Sequence, residues 1–99
     1  MSVIHKVHLL EAEILSSEGK NGLASASYTA AIVSAQNSCL IHEQGLACEL
    51  AGAHYKRVGD YGSALSLLNQ AKQCYENWGS QMKVDSVSRQ LESFHIGSS

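Results

Sequence analysis

Five histidines, three cysteines and one Lys-Arg pair are the residues in this chain with the chemistry to catalyse, to bind metal or to bind nucleic acid. His5 and His8 stand three apart, a spacing that puts both imidazoles on one helix face, with Glu11 or Glu49 as a third ligand. No HExxH motif accompanies them, and the neighbours His42 and Glu43 project from different faces of a helix. Nothing completes a ligand set, so no metal is implied. Cys48 and His54 are six residues apart, which does not place a thiol beside a base as nucleophilic catalysis requires. Cys39, Cys48 and Cys74 form no CxxC pair, which excludes a zinc knuckle or a thioredoxin-type motif. They are expected to be free thiols, buried as small hydrophobes in a reducing cytosol. Neither GxGxxG nor GxxxxGK[ST] occurs, so no nucleotide or other cofactor is implied, and the chain is not expected to be an enzyme.

Charge removes further classes. Seven basic and nine acidic residues give a formal net charge of -2, and Lys56-Arg57 is the nearest approach to a basic patch. Nucleic acid is therefore not an expected partner, because phosphate binding needs clustered cations. Met1-Ser-Val-Ile-His-Lys lacks the pattern of a signal peptide, and no apolar run approaches the ~20 residues of a membrane helix. The expected location is cytoplasmic, with no membrane partner.

The elements that would position any site are helices. Ninety-nine residues make one small domain, and the chain contains no proline to interrupt a helix. Val3, Val7, Leu10 and Ile14 form a first stripe at helical spacing. Leu23, Ala24, Tyr28, Ala31, Ile32 and Ala35 form a second, and Leu46, Leu50, Ala51 and Tyr55 a third. Ala64, Leu65, Leu68, Ala71 and Tyr75 form a fourth, and Val84, Val87, Leu91 and Phe94 a fifth. Glycine-rich turns at Gly19-Lys20-Asn21-Gly22 and Gly59-Asp60-Tyr61-Gly62 separate members of these pairs.

Sliding the chain by 40 positions exposes an internal repeat. Gly19 meets Gly59, Gly22 meets Gly62, Ala24 meets Ala64 and Ala31 meets Ala71. Leu10 meets Leu50, Ala12 meets Gly52, Leu15 meets Tyr55 and Tyr28 meets Leu68. Small residues recur where two antiparallel helices must approach closely, and large ones recur where the space beside them must be filled.

These positions resemble the tetratricopeptide repeat, a helix–turn–helix unit of about 34 residues. Gly52, Tyr55, Gly59, Asp60, Tyr61, Ala64, Leu68 and Ala71 carry the likeness, and Gly59-Asp60-Tyr61-x-x-Ala64 resembles the family's turn. Ala12, Leu15, Gly19, Ala24, Tyr28 and Ala31 carry it in the first unit, where Asn21 replaces the turn aromatic. The family's proline after the second helix is missing from both units, with Glu76 in its place in the second. His8 and Cys48 replace the large residue early in the first helix. The longer period implies a longer connection between units. Ala71-x-x-Cys74-Tyr75-x-x-Trp78-Gly79 is similar to the divergent repeats of multidomain signalling ATPases and sensor kinases.

The resemblance implies an all-α fold of antiparallel helix hairpins, a TPR-like α-solenoid of about five helices over residues 1–99. The hairpins are expected over 3–36 and 41–77, with a capping helix over 81–95. It also implies a protein or peptide partner held in a concave groove lined by the first helix of each unit. By position these residues are Lys6, Leu9, Glu13 and Ser16, then Leu46, Glu49, Ala53, Lys56 and Arg57. Trp78 is expected to pack between the second unit and the fifth helix, and Tyr61 to pack at the turn. A solenoid usually needs about three units to cover its faces. Two units and a cap leave Val3-Ile4-x-x-Val7 at an open end, which suits a homodimer through the N-terminal hairpin or a regulatory segment of a larger signalling protein.

Overall fold

The structure is a computed structural model. It describes the backbone of residues 3–98 and the side chains of residues 7–94.

Five helices follow one another: α1 Val3–Ser17, α2 Asn21–Asn37, α3 Ile41–Val58, α4 Tyr61–Trp78 and α5 Gln81–Ser98. Among the described residues there is no strand, so the chain is all-α, as its periodicity predicts. Each helix packs mainly on the next in sequence. Side chains also bridge α1 to α3 and α3 to α5, so these three helices share one layer while α2 and α4 share the other. The result is a slab with extents of 41 × 34 × 16 Å.

The helices stop for a local reason. Gly19, Cys39, Gly59 and Gly79 have φ of 80°, 57°, 88° and 91°, one left-handed residue every 20 positions. At each, the next amide closes a six-residue loop: Lys20 N–H to Leu15 O, Leu40 to Ala35, Asp60 to Tyr55 and Ser80 to Tyr75, at 2.9–3.1 Å. This is the Schellman stop, and it satisfies carbonyls that the helix end leaves free. Glycine holds the left-handed conformation without a Cβ clash, whereas Cys39 holds it against one. Gly22 and Gly62 lie inside the first turns of α2 and α4 and are not needed for the stop.

These connectors overturn one expectation. The segment between the hairpins is as short as the turns within them. The extra length of the 40-residue period lies in the helices, three of which run 18 residues. Left-handed residues end the helices, so no proline is needed there.

The core is continuous but changes character along the slab. Leu9, Ala12, Ala24, Tyr28, Ala31, Ala47 and Ala51 fill the seam between α1, α2 and α3. Cys48, Leu68, Ala71, Tyr75, Val84 and Val87 fill the seam between α3, α4 and α5. Ile32 and Leu67 touch both. The small positions admit close approach. A Cβ on Gly52 would stand 2.9 Å from Leu68 Cγ, and one on Gly45 would stand 2.8 Å from Tyr75 Cε1. Helices α3 and α4 therefore touch almost backbone to side chain, as the small–large alternation implies.

Trp78 is a correction. It ends α4 half exposed, stacked on His42 of α3 at 5.1 Å between ring centroids and tilted against Tyr75, rather than buried in the core. Tyr61 is also more exposed than a packing residue, with one edge on Phe94. Of the cysteines, Cys48 and Cys74 are buried, but Cys39 is exposed because it occupies the turn.

Candidate functional site

The layer formed by α1, α3 and α5 carries most of the charged side chains that meet across helices. Glu13 on α1 accepts a hydrogen bond from the buried Tyr28 hydroxyl of α2 and lies 3.8 Å from Arg57 Nη2 on α3. Arg57 also donates to Ser16 Oγ at 3.0 Å. On the other side of α3, Glu49 accepts from Tyr75 Oη at 2.9 Å and from Gln90 Nε2 at 2.8 Å, with Lys83 Nζ 3.7 Å away. Lys56 donates to Ser93 Oγ at 2.8 Å and stands over the Phe94 ring at 5.0 Å. Acids and bases are therefore interspersed along the layer, each tied to a neighbouring helix.

The expected groove residues fall into unequal groups. Glu13, Ser16, Glu49, Lys56 and Arg57 come together in the bridges just described. Leu46 is exposed and Ala53 half-buried on α3. Leu9 is buried in the first core seam, with little surface to present. Lys6 lies outside the described side chains, as does His5 of the considered metal pair. His8 contacts Glu11 on the surface at 3.6 Å, and no group of three potential metal ligands occurs among the described residues.

The two tyrosine hydroxyls that meet carboxylates are held protonated. Burial pushes the pKa of Tyr28 and of Tyr75 well above the ordinary range, and the hydrogen bonds to Glu13 and Glu49 push the same way. Burial likewise raises the Cys48 thiol to about 12 and raises Cys74, which makes both poor nucleophiles.

One residue escapes a reading from spacing alone. His54 is wholly buried at the junction of α1, α2 and α3. Its Nδ1 lies 2.9 Å from Ser16 Oγ, and its Nε2 lies 3.4 Å from Ser25 Oγ. The ring packs against Tyr28 at 5.1 Å and Tyr55 at 5.2 Å. A signal for it exists in the repeat, because Ile14, His54 and Phe94 occupy the same position at 40-residue steps. A histidine at an apolar position needs polar neighbours when buried.

On the outer side of the α3–α4 hairpin, Tyr55, Gly62, Ser63, Ser66, Leu67 and Gln70 line an open cleft of about 370 Å³. It gathers hydroxyls and an amide but no carboxylate, imidazole or cationic side chain. No helix among the described residues is long and apolar enough to cross a membrane. No family model, curated protein or solved structure matches the chain.

Proposed function

We propose that the chain is a non-catalytic protein-interaction module of the tetratricopeptide kind, which binds an extended or helical peptide along the α1–α3–α5 layer. The observation that carries this reading is the mixture of acids and bases across that layer: Glu13 with Arg57, then Lys56, then Glu49 with Lys83. Such a surface gives electrostatic register to a peptide of mixed charge without the single-sign field that nucleic acid requires. The buried, strongly protonated thiols and tyrosines support a binding role over nucleophilic chemistry. The expected occupied residues are Glu13, Ser16, Leu46, Glu49, Ala53, Lys56 and Arg57.

The test is selection of peptides from a displayed random library, followed by affinity measurements. Lys56→Glu and Arg57→Glu should each weaken selected peptides about tenfold, on the scale of one well-placed charge contact. Gln70→Glu, on the outer cleft, should leave affinity unchanged. Binders indifferent to both layer substitutions would contradict the proposal.

A specific observation favours a second reading. Val7, Leu10 and Ile14 form an exposed stripe on α1, at steps of three and four residues. Two copies can pair such stripes as a short coiled coil, giving a weak homodimer through the N-terminal hairpin. Sedimentation across a concentration series tests it, with Leu10→Lys expected to abolish any dimer. A monomer at every concentration would refute it.

A further inference from the structure

We infer that the seam joining the α1–α2 hairpin to α3 is an acid-sensitive joint, closed by neutral His54 and loosened when that imidazole gains a proton. The inference is independent of the groove reading, because it concerns how the hairpin is held rather than what the layer binds.

The contacts support one arrangement of the hydrogens. Arg57 donates an N–H to Ser16 Oγ at 3.0 Å, and Ser16 Oγ stands 2.9 Å from His54 Nδ1. A guanidinium can only donate, which leaves the Ser16 hydroxyl hydrogen for Nδ1, and in that arrangement Nδ1 is the unprotonated nitrogen. The ring hydrogen then sits on Nε2, which faces Ser25 Oγ at 3.4 Å, and the backbone of Asn21 on α2 also hydrogen-bonds the ring. One neutral imidazole thereby ties α1 through Ser16 to α2 through Ser25, from its own place on α3.

A second proton would go on Nδ1, where it meets an oxygen that already accepts from Arg57. Ser16 would have to turn its hydroxyl hydrogen away, and two cations would converge on one oxygen in a site with no solvent contact. The groups facing the ring are Glu13 and Ser16 from α1, Asn21, Ser25 and Tyr28 from α2, and Tyr55 and Arg57 from α3 itself. Glu13 favours the charged ring, but it is already shared between Tyr28 and Arg57. Burial first, and Arg57 second, hold the imidazole below its ordinary value, against Glu13 and the Asn21 backbone.

When the seam opens, His54 regains an ordinary value near 6.5, so the open state takes up a proton before the closed state does. Stability from the neutral ring is complete above that value. It is lost as pH falls from there through the native value.

The experiment is a ring-proton NMR titration of His54 in the intact chain, with unfolding by urea measured across the same pH range. His54 should titrate below 6.5, and Arg57→Gln should move that titration upward. The unfolding equilibrium constant should rise by up to tenfold per pH unit below 6.5 in the wild type. It should be nearly flat over that interval in His54→Gln. A wild-type His54 that titrates at or above 6.5, or a wild-type stability indifferent to pH over that range, would overturn the inference. Both results come from the unmodified chain, so they hold even if a variant fails to fold.

Discussion

The two seams of this small slab are built on one 40-residue plan and filled with opposite chemistry. At the first seam Ser16, Asn21 and His54 meet; at the second their equivalents are Lys56, Tyr61 and Phe94. The first set is joined by hydrogen bonds around a buried imidazole. The second is an apolar ring with Tyr61 on its edge at 5.8 Å and the Lys56 ammonium above it at 5.0 Å. The neighbouring core follows suit, with five alanines buried in the first cluster and Leu68, Val84 and Val87 in the second. Apolar burial is non-directional and insensitive to mild acid, whereas a buried polar joint is directional and changes with protonation. The same repeat therefore yields two buried seams, one with an apolar ring at this position and one with an imidazole whose bonds depend on a proton's placement.

Substitutions can break this contrast in graded steps. Leu68→Ala removes the largest buried aliphatic side chain of the second seam and should destabilise the chain by about 2–5 kcal/mol, read by urea unfolding. The loss should be the same at neutral and mildly acidic pH. Glu49→Ala leaves the buried Tyr75 hydroxyl without its acceptor and should cost about 1–3 kcal/mol. His54→Phe converts the first seam to the chemistry of the second. It should abolish the fall in stability on acidification, up to about 1.4 kcal/mol per pH unit in the wild type. The smallest effect is expected at Cys39→Gly, which relieves a left-handed non-glycine residue and should add about 1 kcal/mol by thermal unfolding.

The sequence made the helices legible because their apolar stripes and turn glycines are local signals. Tyr28 and Leu68, or Ala12 and Gly52, announce close packing through the repeat alone. Cys39 was not legible as a helix stop, since nothing in a cysteine favours positive φ. Its role follows from the 20-residue spacing that the other three stops share. Trp78 packs on the second unit but stays half exposed, because its partner His42 lies across the hairpin and far away in sequence, at the surface. Among the expected groove residues, Glu13, Glu49, Lys56 and Arg57 were singled out by position in the repeat, and the structure ties each to a neighbouring helix. The burial of Leu9 depends on how deeply α2 covers α1, which no spacing rule states. His54 was legible only as an exception, a polar residue where the repeat puts isoleucine and phenylalanine.

The contrast between the seams is tested most directly by amide hydrogen exchange at about pH 7.5 and about pH 5.5, which bracket the ordinary histidine value. After correction for the intrinsic exchange rate, protection in α2 should fall by up to tenfold between these conditions. In His54→Phe, protection in α2 should hold between the same two conditions. An unchanged α2 in the wild type, or an equal fall in His54→Phe, would contradict the claim that the first seam is acid-sensitive through His54.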